Sequence, residues 1–233
     1  MYLRSFLFYI LYVLSGVVIG IAVCLVSIFL PVKKRIRVAS IWPRFASWCL
    51  LKICKIEIEI KGQQNIPETP FVLVSNHQSS WEAYFFQYFF FPVTTLLKRE
   101  LLVIPIWGWA LALLGPIYID RKKAKTALVK FMEEGQNKLD SGFIVLSFPE
   151  GTRVEPGKIG GYARSAFELA KRSGVPLLPV VHNAGSYWEA HKFIKRPGKI
   201  SLDIGEKIEV KNSAVQAKEV ENWSRDKLVN MQN

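Results

Sequence analysis

Between Phe6 and Val32 the chain carries no charged residue: FLFYILYVLSGVVIGIAVCLVSIFLPV. At about 1.5 Å per residue, a helix of this run is longer than the roughly 30 Å hydrocarbon core of a bilayer. The run therefore spans a membrane with tilt, or breaks near Gly16 or Gly20 and re-enters. A cleaved signal sequence fits less well, because the run is too long and no small-residue cleavage site follows it. Gly16 and Gly20 have the spacing of a helix-packing pair, but glycine is common in membrane helices and the spacing alone names no partner. Lys33, Lys34, Arg35 and Arg37 follow the run, whereas Arg4 alone among charged side chains precedes it. The positive-inside bias then puts the rest of the chain on the cytoplasmic side of the cell's inner membrane. The net charge of +12 suits either nucleic acid or an anionic lipid surface. The apolar run favours membrane phospholipid, with no nucleic acid partner. Cys24, Cys49 and Cys54 lie in apolar stretches without a C-x-x-C pair, so neither a metal site nor a disulfide framework is indicated.

After the basic cluster the periodicity changes twice. Residues 41–55, IWPRFASWCLLKICK, read as a helix with Arg44, Lys52 and Lys55 on one arc and tryptophans elsewhere, the pattern of a helix at a membrane interface. A core helix with a solvated edge has the same pattern. KIEIEIKG then alternates as a half-exposed strand, and FVLVS is the continuous apolar run of a strand buried on both faces. TTLLKRE, PIYIDR, FIVLSFPEG, PLLPVVHN and KISLDIG give further strands. Helical patterns lie between them in WEAYFFQYFF, PIWGWALALLG, KAKTALVKFMEEGQNKL and YARSAFELAKRSG, and the polar tail from Ser213 is another. Strands alternating with helices predict an α/β fold, a mostly parallel sheet flanked by helices, with an amino-terminal membrane-embedded helical segment. Residues 1–40 read as an anchor with a basic flank, and residues 41–233 as an interfacial helix plus a single α/β domain.

Three strand ends carry residues with chemistry. In SNHQSSWE, His77 follows the buried-type strand, and a helix start at residues 78–86 would fold Glu82 back toward one ring nitrogen. Such a pair makes a base for a substrate hydroxyl, with Ser79 and Ser80 as caps rather than nucleophiles. A structural histidine is the other reading of the same spacing. FPEGTR, residues 148–153, ends another apolar strand in a tight turn whose backbone N–H groups, Thr152 and Arg153 suit phosphate; a capped turn with a surface arginine is the alternative. GPIYIDR ends in Asp120 and Arg121, either a further cationic contribution or an ion pair, and Lys98 with Arg99 follows the strand-like TTLL.

The order N-H-x-x-x-x-E, then K-R-E-L…I-P…G-W…G-x-I-Y-I-D-R, then F-P-E-G-T-R, then V-P-L-L-P-V resembles the glycerolipid acyltransferases. It looks most like the bacterial lysophosphatidic acid acyltransferases. Four blocks stand in family order over residues 76–181, with one departure: Glu82 occupies a position where the family more often has aspartate.

The resemblance implies that His77 is the general base and Glu82 its orienting carboxylate. It implies that Arg153 and Lys98, with Arg121, hold the phosphate of the acceptor, and that Glu150, Gly151 and Thr152 shape the glycerol-phosphate pocket. V-P-L-L-P-V would line the acyl-donor side, and His182 and His191 match no catalytic position. The implied reaction moves an acyl group from acyl-CoA or acyl-carrier protein to the sn-2 hydroxyl of lysophosphatidic acid, with no metal or cofactor. An acyltransferase acting on another lysophospholipid or on glycerol 3-phosphate would share these residues. A tethered, non-enzymatic binder of anionic lipid or nucleic acid would explain the charge and the anchor but not the ordered blocks.

Overall fold

The structure, a computed structural model, describes residues 1–68, 70–119 and 124–231. Its sheet contains seven strands among those residues: β1 (Ile56–Lys61), β2 (Val72–Ser75), β3 (Val93–Lys98), β4 (Ile117–Ile119), β5 (Ile144–Ser147), β6 (Leu177–His182) and β7 (Gly198–Ile204). They lie in the order β1-β7-β6-β2-β5-β3-β4. Five of the six pairings are parallel and only β6–β7 is antiparallel, so β1 and β7 run against the other five. The mostly parallel α/β sheet expected from the alternation is present, with a reversal at one edge.

Eight α-helices accompany the described strands: α1 (Tyr2–Val26), α2 (Val32–Ala39), α3 (Ile41–Cys49), α4 (Trp81–Phe89), α5 (Trp107–Leu113), α6 (Ala124–Asp140), α7 (Ser165–Ser173) and α8 (Ser213–Asn230). Side chains alternate across a strand, so each central strand feeds two cores. Leu73, Leu146 and Leu178 pack with Phe8 of α1, Ala46 of α3 and Phe85 and Phe86 of α4. Val72, Val74, Val145 and Leu177 face Phe131 of α6, Phe167 and Leu169 of α7 and Val220 of α8. The aromatics of WEAYFFQYFF thus belong to the core: Trp81, Tyr84, Phe85 and Phe86 are all buried. The helix expected over residues 41–55 forms as α3, widens to one π turn at Leu50–Cys54, and stops where Lys55 takes a left-handed φ of 58°.

Helix α1 lies against the α/β body. Phe8 is fully buried, edge-on to Trp188 at 5.2 Å, and Tyr12 contacts Trp42 at 4.7 Å. The two glycines do have a packing role here. A Cβ on Gly16 would lie 3.1 Å from the Trp42 indole nitrogen, and one on Gly20 would lie 3.0 Å from the Ile106 side chain. Lys195, buried in a loop that sequence periodicity leaves blank, donates through Nζ to the Tyr9 hydroxyl at 2.7 Å and to the Phe193 carbonyl at 2.9 Å. Its ammonium also lies over the rings of Tyr9 and Trp188. The opposite face of α1 exposes Leu3, Leu7, Ile10, Leu14, Val18, Ile21 and Leu25, a stripe at steps of three and four. The basic cluster is itself helical in α2, where Arg35 donates to the carbonyls of Leu30 at 2.6 Å and Leu113 at 3.1 Å and so ties α2 to the end of α5.

Truncating a buried phenylalanine removes its transfer energy and leaves a cavity. Phe8→Ala should therefore cost about 3–5 kcal/mol of stability, read as a lower midpoint on denaturant or heat in detergent. A midpoint like that of the wild type would show that α1 is not held by this contact.

Candidate active site

In an open α/β sheet the carboxyl ends of parallel strands converge on one edge, and ligands collect there. Strands β2, β5, β3 and β4 are mutually parallel neighbours, and the ends of β2, β5 and β3 deliver SNHQSS, FPEG and KRE to that edge. A cleft of about 240 Å³ opens between them, lined by His77, Thr95, Leu96, Ile119, Phe148 and Gly151 among others.

The turn after β2 is built around Glu82. Ser80 precedes the first residue of α4, the Ser79 hydroxyl accepts from the Trp81 N–H at 3.1 Å, and Glu82 sits in the first helical turn. From there Oε1 of Glu82 reaches back to accept the N–H groups of Gln78 at 3.1 Å and Ser79 at 2.9 Å. The same oxygen lies 2.7 Å from Nδ1 of His77. A helix N-terminus favours a carboxylate at this point, and the free N–H groups ahead of the helix need an acceptor. Burial of Glu82 opposes its charge, but the His77 hydrogen bond, the two nearby histidines and the Ser79 N–H outweigh it and hold the carboxyl below its ordinary range. With Nδ1–H donating to this carboxylate, Nε2 keeps the lone pair. Phe148 stacks on the ring at 4.2 Å, 13° from parallel, and sets its plane.

The FPEGTR loop is tied onto this turn. Glu150 accepts the His77 N–H at 2.6 Å on one oxygen and the Gly160 N–H at 2.8 Å on the other. Val154 N–H donates to the His77 carbonyl at 2.8 Å. Gly151 adopts φ +70°, a left-handed conformation that glycine takes without strain. Half-buried Arg153 donates from Nε to the Ser79 carbonyl at 3.0 Å, which fixes the guanidinium beside the His77 turn, through that one nitrogen among the described residues.

The structure thus joins His77, Glu82, Glu150 and Arg153 in one hydrogen-bonded cluster, with Gly151 lining the same cleft. Lys98 ends β3 at that sheet edge, in register with Ile119, and is exposed. Thr152 is exposed too, and among the described residues no hydrogen bond ties either to the cluster. Arg121 and Asp120 lie outside the described residues. Within V-P-L-L-P-V, Leu177, Leu178 and Val180 are buried in β6, a central strand between β2 and β7. His191 is exposed with φ 62°. His182 is wholly buried 3.9 Å from Glu82, a neighbour that its position more than a hundred residues downstream conceals.

A model of the acyltransferase family matches residues 57–183, more than half of the chain. The 1-acyl-sn-glycerol-3-phosphate acyltransferase of Pseudomonas aeruginosa is 45% identical over 204 residues, 87% of this chain and 79% of that one. The chain belongs to the acyltransferase family. The human 1-acyl-sn-glycerol-3-phosphate acyltransferase alpha is 38% identical over 128 residues, covering 54% of this acyltransferase and 45% of its own length. A chloroplastic enzyme of the same name from Arabidopsis thaliana is 33% identical over 159 residues, 66% of this chain and 43% of its own. The crystal structure of the 1-acyl-sn-glycerophosphate acyltransferase from Thermotoga maritima shares the fold, with a TM-score of 0.82 over 99% of this acyltransferase and 95% of that chain at 24% identity.

Burial pushes the Glu150 carboxyl up to about 7, with the Gly160 and His77 N–H groups pulling it back and the Glu82 and Glu221 charges adding to the rise. The folded chain holds this proton more tightly than the unfolded chain. The group's contribution to stability is therefore full below its ordinary 4.5 and is lost as pH rises through about 7. Between pH 5 and pH 8 the wild type should lose on the order of 3 kcal/mol relative to Glu150→Gln, which has nothing to titrate there. The melting-temperature gap between the two should shift in the variant's favour as pH rises; a constant gap would contradict the assignment.

Proposed function

We propose that this acyltransferase moves a fatty acyl group from acyl-CoA or acyl-carrier protein to the sn-2 hydroxyl of 1-acylglycerol 3-phosphate, giving phosphatidic acid. The observation that carries the reading is the 2.7 Å His77–Glu82 pair at the mouth of the cleft. His77 Nε2 takes the proton of the acceptor hydroxyl as its oxygen attacks the thioester carbonyl. Glu82 stabilises the imidazolium that forms, and His77 returns the proton as thiolate leaves. No protein nucleophile is needed, because the substrate hydroxyl attacks directly. Arg153 binds the acceptor phosphate through its terminal nitrogens while Nε stays on Ser79, Lys98 adds positive charge from the end of β3, and Arg121 is proposed as a third cation for the same phosphate. Glu150, Gly151 and Thr152 shape the glycerol-phosphate side. The P. aeruginosa relative's name, 1-acyl-sn-glycerol-3-phosphate acyltransferase, supports this acceptor.

Residues 1–40 serve as the membrane anchor, and residues 41–233 as the catalytic domain on the cytoplasmic side of the inner membrane. The exposed apolar stripe of α1 and the lysines and arginines of α2 support this placement. A carboxy-terminal reporter active only in the periplasm should stay dark.

Transfer of labelled acyl chains to 1-acylglycerol 3-phosphate by the purified protein, compared with other lysophospholipids and with glycerol 3-phosphate, tests the substrate. Preference for one of the alternatives would reassign it. His77→Ala should lower kcat by about 10²–10⁴ with a modest change in acceptor KM; near-normal turnover by a folded variant would remove the proposed base. Arg153→Lys keeps the charge but loses both the planar fork and the Ser79 tie, so acceptor KM should rise while donor KM moves little. Unchanged acceptor KM in Arg153→Lys and Arg153→Ala alike would take Arg153 out of the phosphate site.

A further inference from the structure

Glu82 is fully buried, and its two oxygens are treated differently. Oε1 takes all three of the donors described above, whereas Oε2 has no hydrogen-bond partner among the described residues. A buried carboxylate oxygen without a donor is costly, and its position is set from one side only. The nitrogen that faces it is Nε2 of His182, 3.9 Å away.

The protonation of His182 follows from its neighbours. Its Nδ1 accepts the Ala184 N–H at 3.2 Å, so the ring proton is on Nε2. That N–H is donated to the Asn76 carbonyl at 3.1 Å, and Oε2 of Glu82 lies 3.9 Å from the same nitrogen. Two more bonds lock the ring's backbone to the turn. Asn76 Oδ1 accepts the His182 N–H at 3.0 Å, and Asn76 Nδ2 donates to the His182 carbonyl at 2.9 Å. Trp81 packs edge-on against the imidazole at 5.7 Å. Burial disfavours the charged ring and Glu82 only partly offsets it, so His182 stays a neutral donor.

We propose that His182 is a positioning residue for the acyl transfer: its Nε2–H anchors the second oxygen of Glu82 and so keeps the first on His77. The proposal rests on the reading of His77 as the base. At 3.9 Å the contact is too long for a hydrogen bond, so the Nε2–H acts on Oε2 as an oriented dipole in a buried setting rather than as a bonded donor. The length of Glu82 belongs to the same design. Its extra methylene over aspartate carries the carboxylate from α4 toward the end of β6, within reach of His182.

The test is a set of variants assayed with labelled 1-acylglycerol 3-phosphate as acceptor, with His77→Ala as control. His182→Leu should lower kcat about ten-fold while the KM values for both substrates hold. His182→Gln, whose amide can place an N–H near the same point, should recover most of that loss. In a Glu82→Asp background, where the carboxylate is withdrawn, His182→Leu should cost less than about two-fold, because residues acting through one contact are not additive. Equal losses in the wild-type and Glu82→Asp backgrounds would overturn the proposal, as would KM effects without kcat effects, or failure of glutamine where leucine also fails. Normal turnover in His182→Leu while His77→Ala is inactive would sink this inference and leave the base assignment standing. Normal turnover in His77→Ala would sink both.

Discussion

A carboxylate with no exposed surface must be matched by donors, and the site is organised around that demand at Glu82. Two of its donors are backbone N–H groups that the start of α4 would otherwise leave free, and the third is the His77 ring. One charge therefore caps a helix, closes the turn after β2 and sets a tautomer. Because the groups share an oxygen, none can move alone. The imidazole is held from a second direction by the flat contact of Phe148, so both its proton and its plane are fixed before any substrate arrives.

The loop after β5 extends the same economy to Arg153. Arg153 does not reach the site as a loose surface cation; its Nε is bound to the carbonyl of Ser79, a residue whose own N–H is bound to Glu82. The guanidinium and the His77 imidazole are therefore both tied to Ser79, one directly and the other through Glu82. A phosphate gripped by the guanidinium would be placed at a fixed distance from His77 Nε2, and this positioning is what converts an ordinary hydroxyl into a reactant. Glu150 reinforces the link by bridging the backbone of His77 to that of Gly160.

How much of this the chain announces depends on sequence distance. The central strands were legible because both their faces are buried, so they appear as unbroken apolar runs; the reversal at β7 was not, since alternation says nothing about direction. His77 and Glu82 lie close enough along the chain to be paired on spacing alone. His182 could not be, because only the pairing of β6 beside β2 brings it to Asn76 and Glu82. The same pairing buries the strand that PLLPVVHN announces. Helix α2 is too short and too densely charged to show a period of its own, although its arginine at 35 holds two carbonyls. Lys195 and Trp188 lie in a stretch without period, and much of their burial comes from what α1 presents to them: Phe8, Tyr9 and Tyr12 against Trp188, and the Ser5 and Tyr9 hydroxyls against Lys195.

That dependence bears on how the apolar run should be viewed. A helix made only to cross a bilayer needs no specific side, yet α1 is sided: Phe8, Tyr12, Gly16 and Gly20 meet the body of the protein, and the leucine-rich face does not. Tyr12 also touches Tyr84, two residues beyond Glu82 on α4. Through this ring contact the helix that would hold the lipid phase touches the helix that carries Glu82. An acceptor whose acyl chain stays in the bilayer would then meet a hydroxyl-activating base whose distance from the apolar stripe is set by aromatic packing, not by a flexible tether.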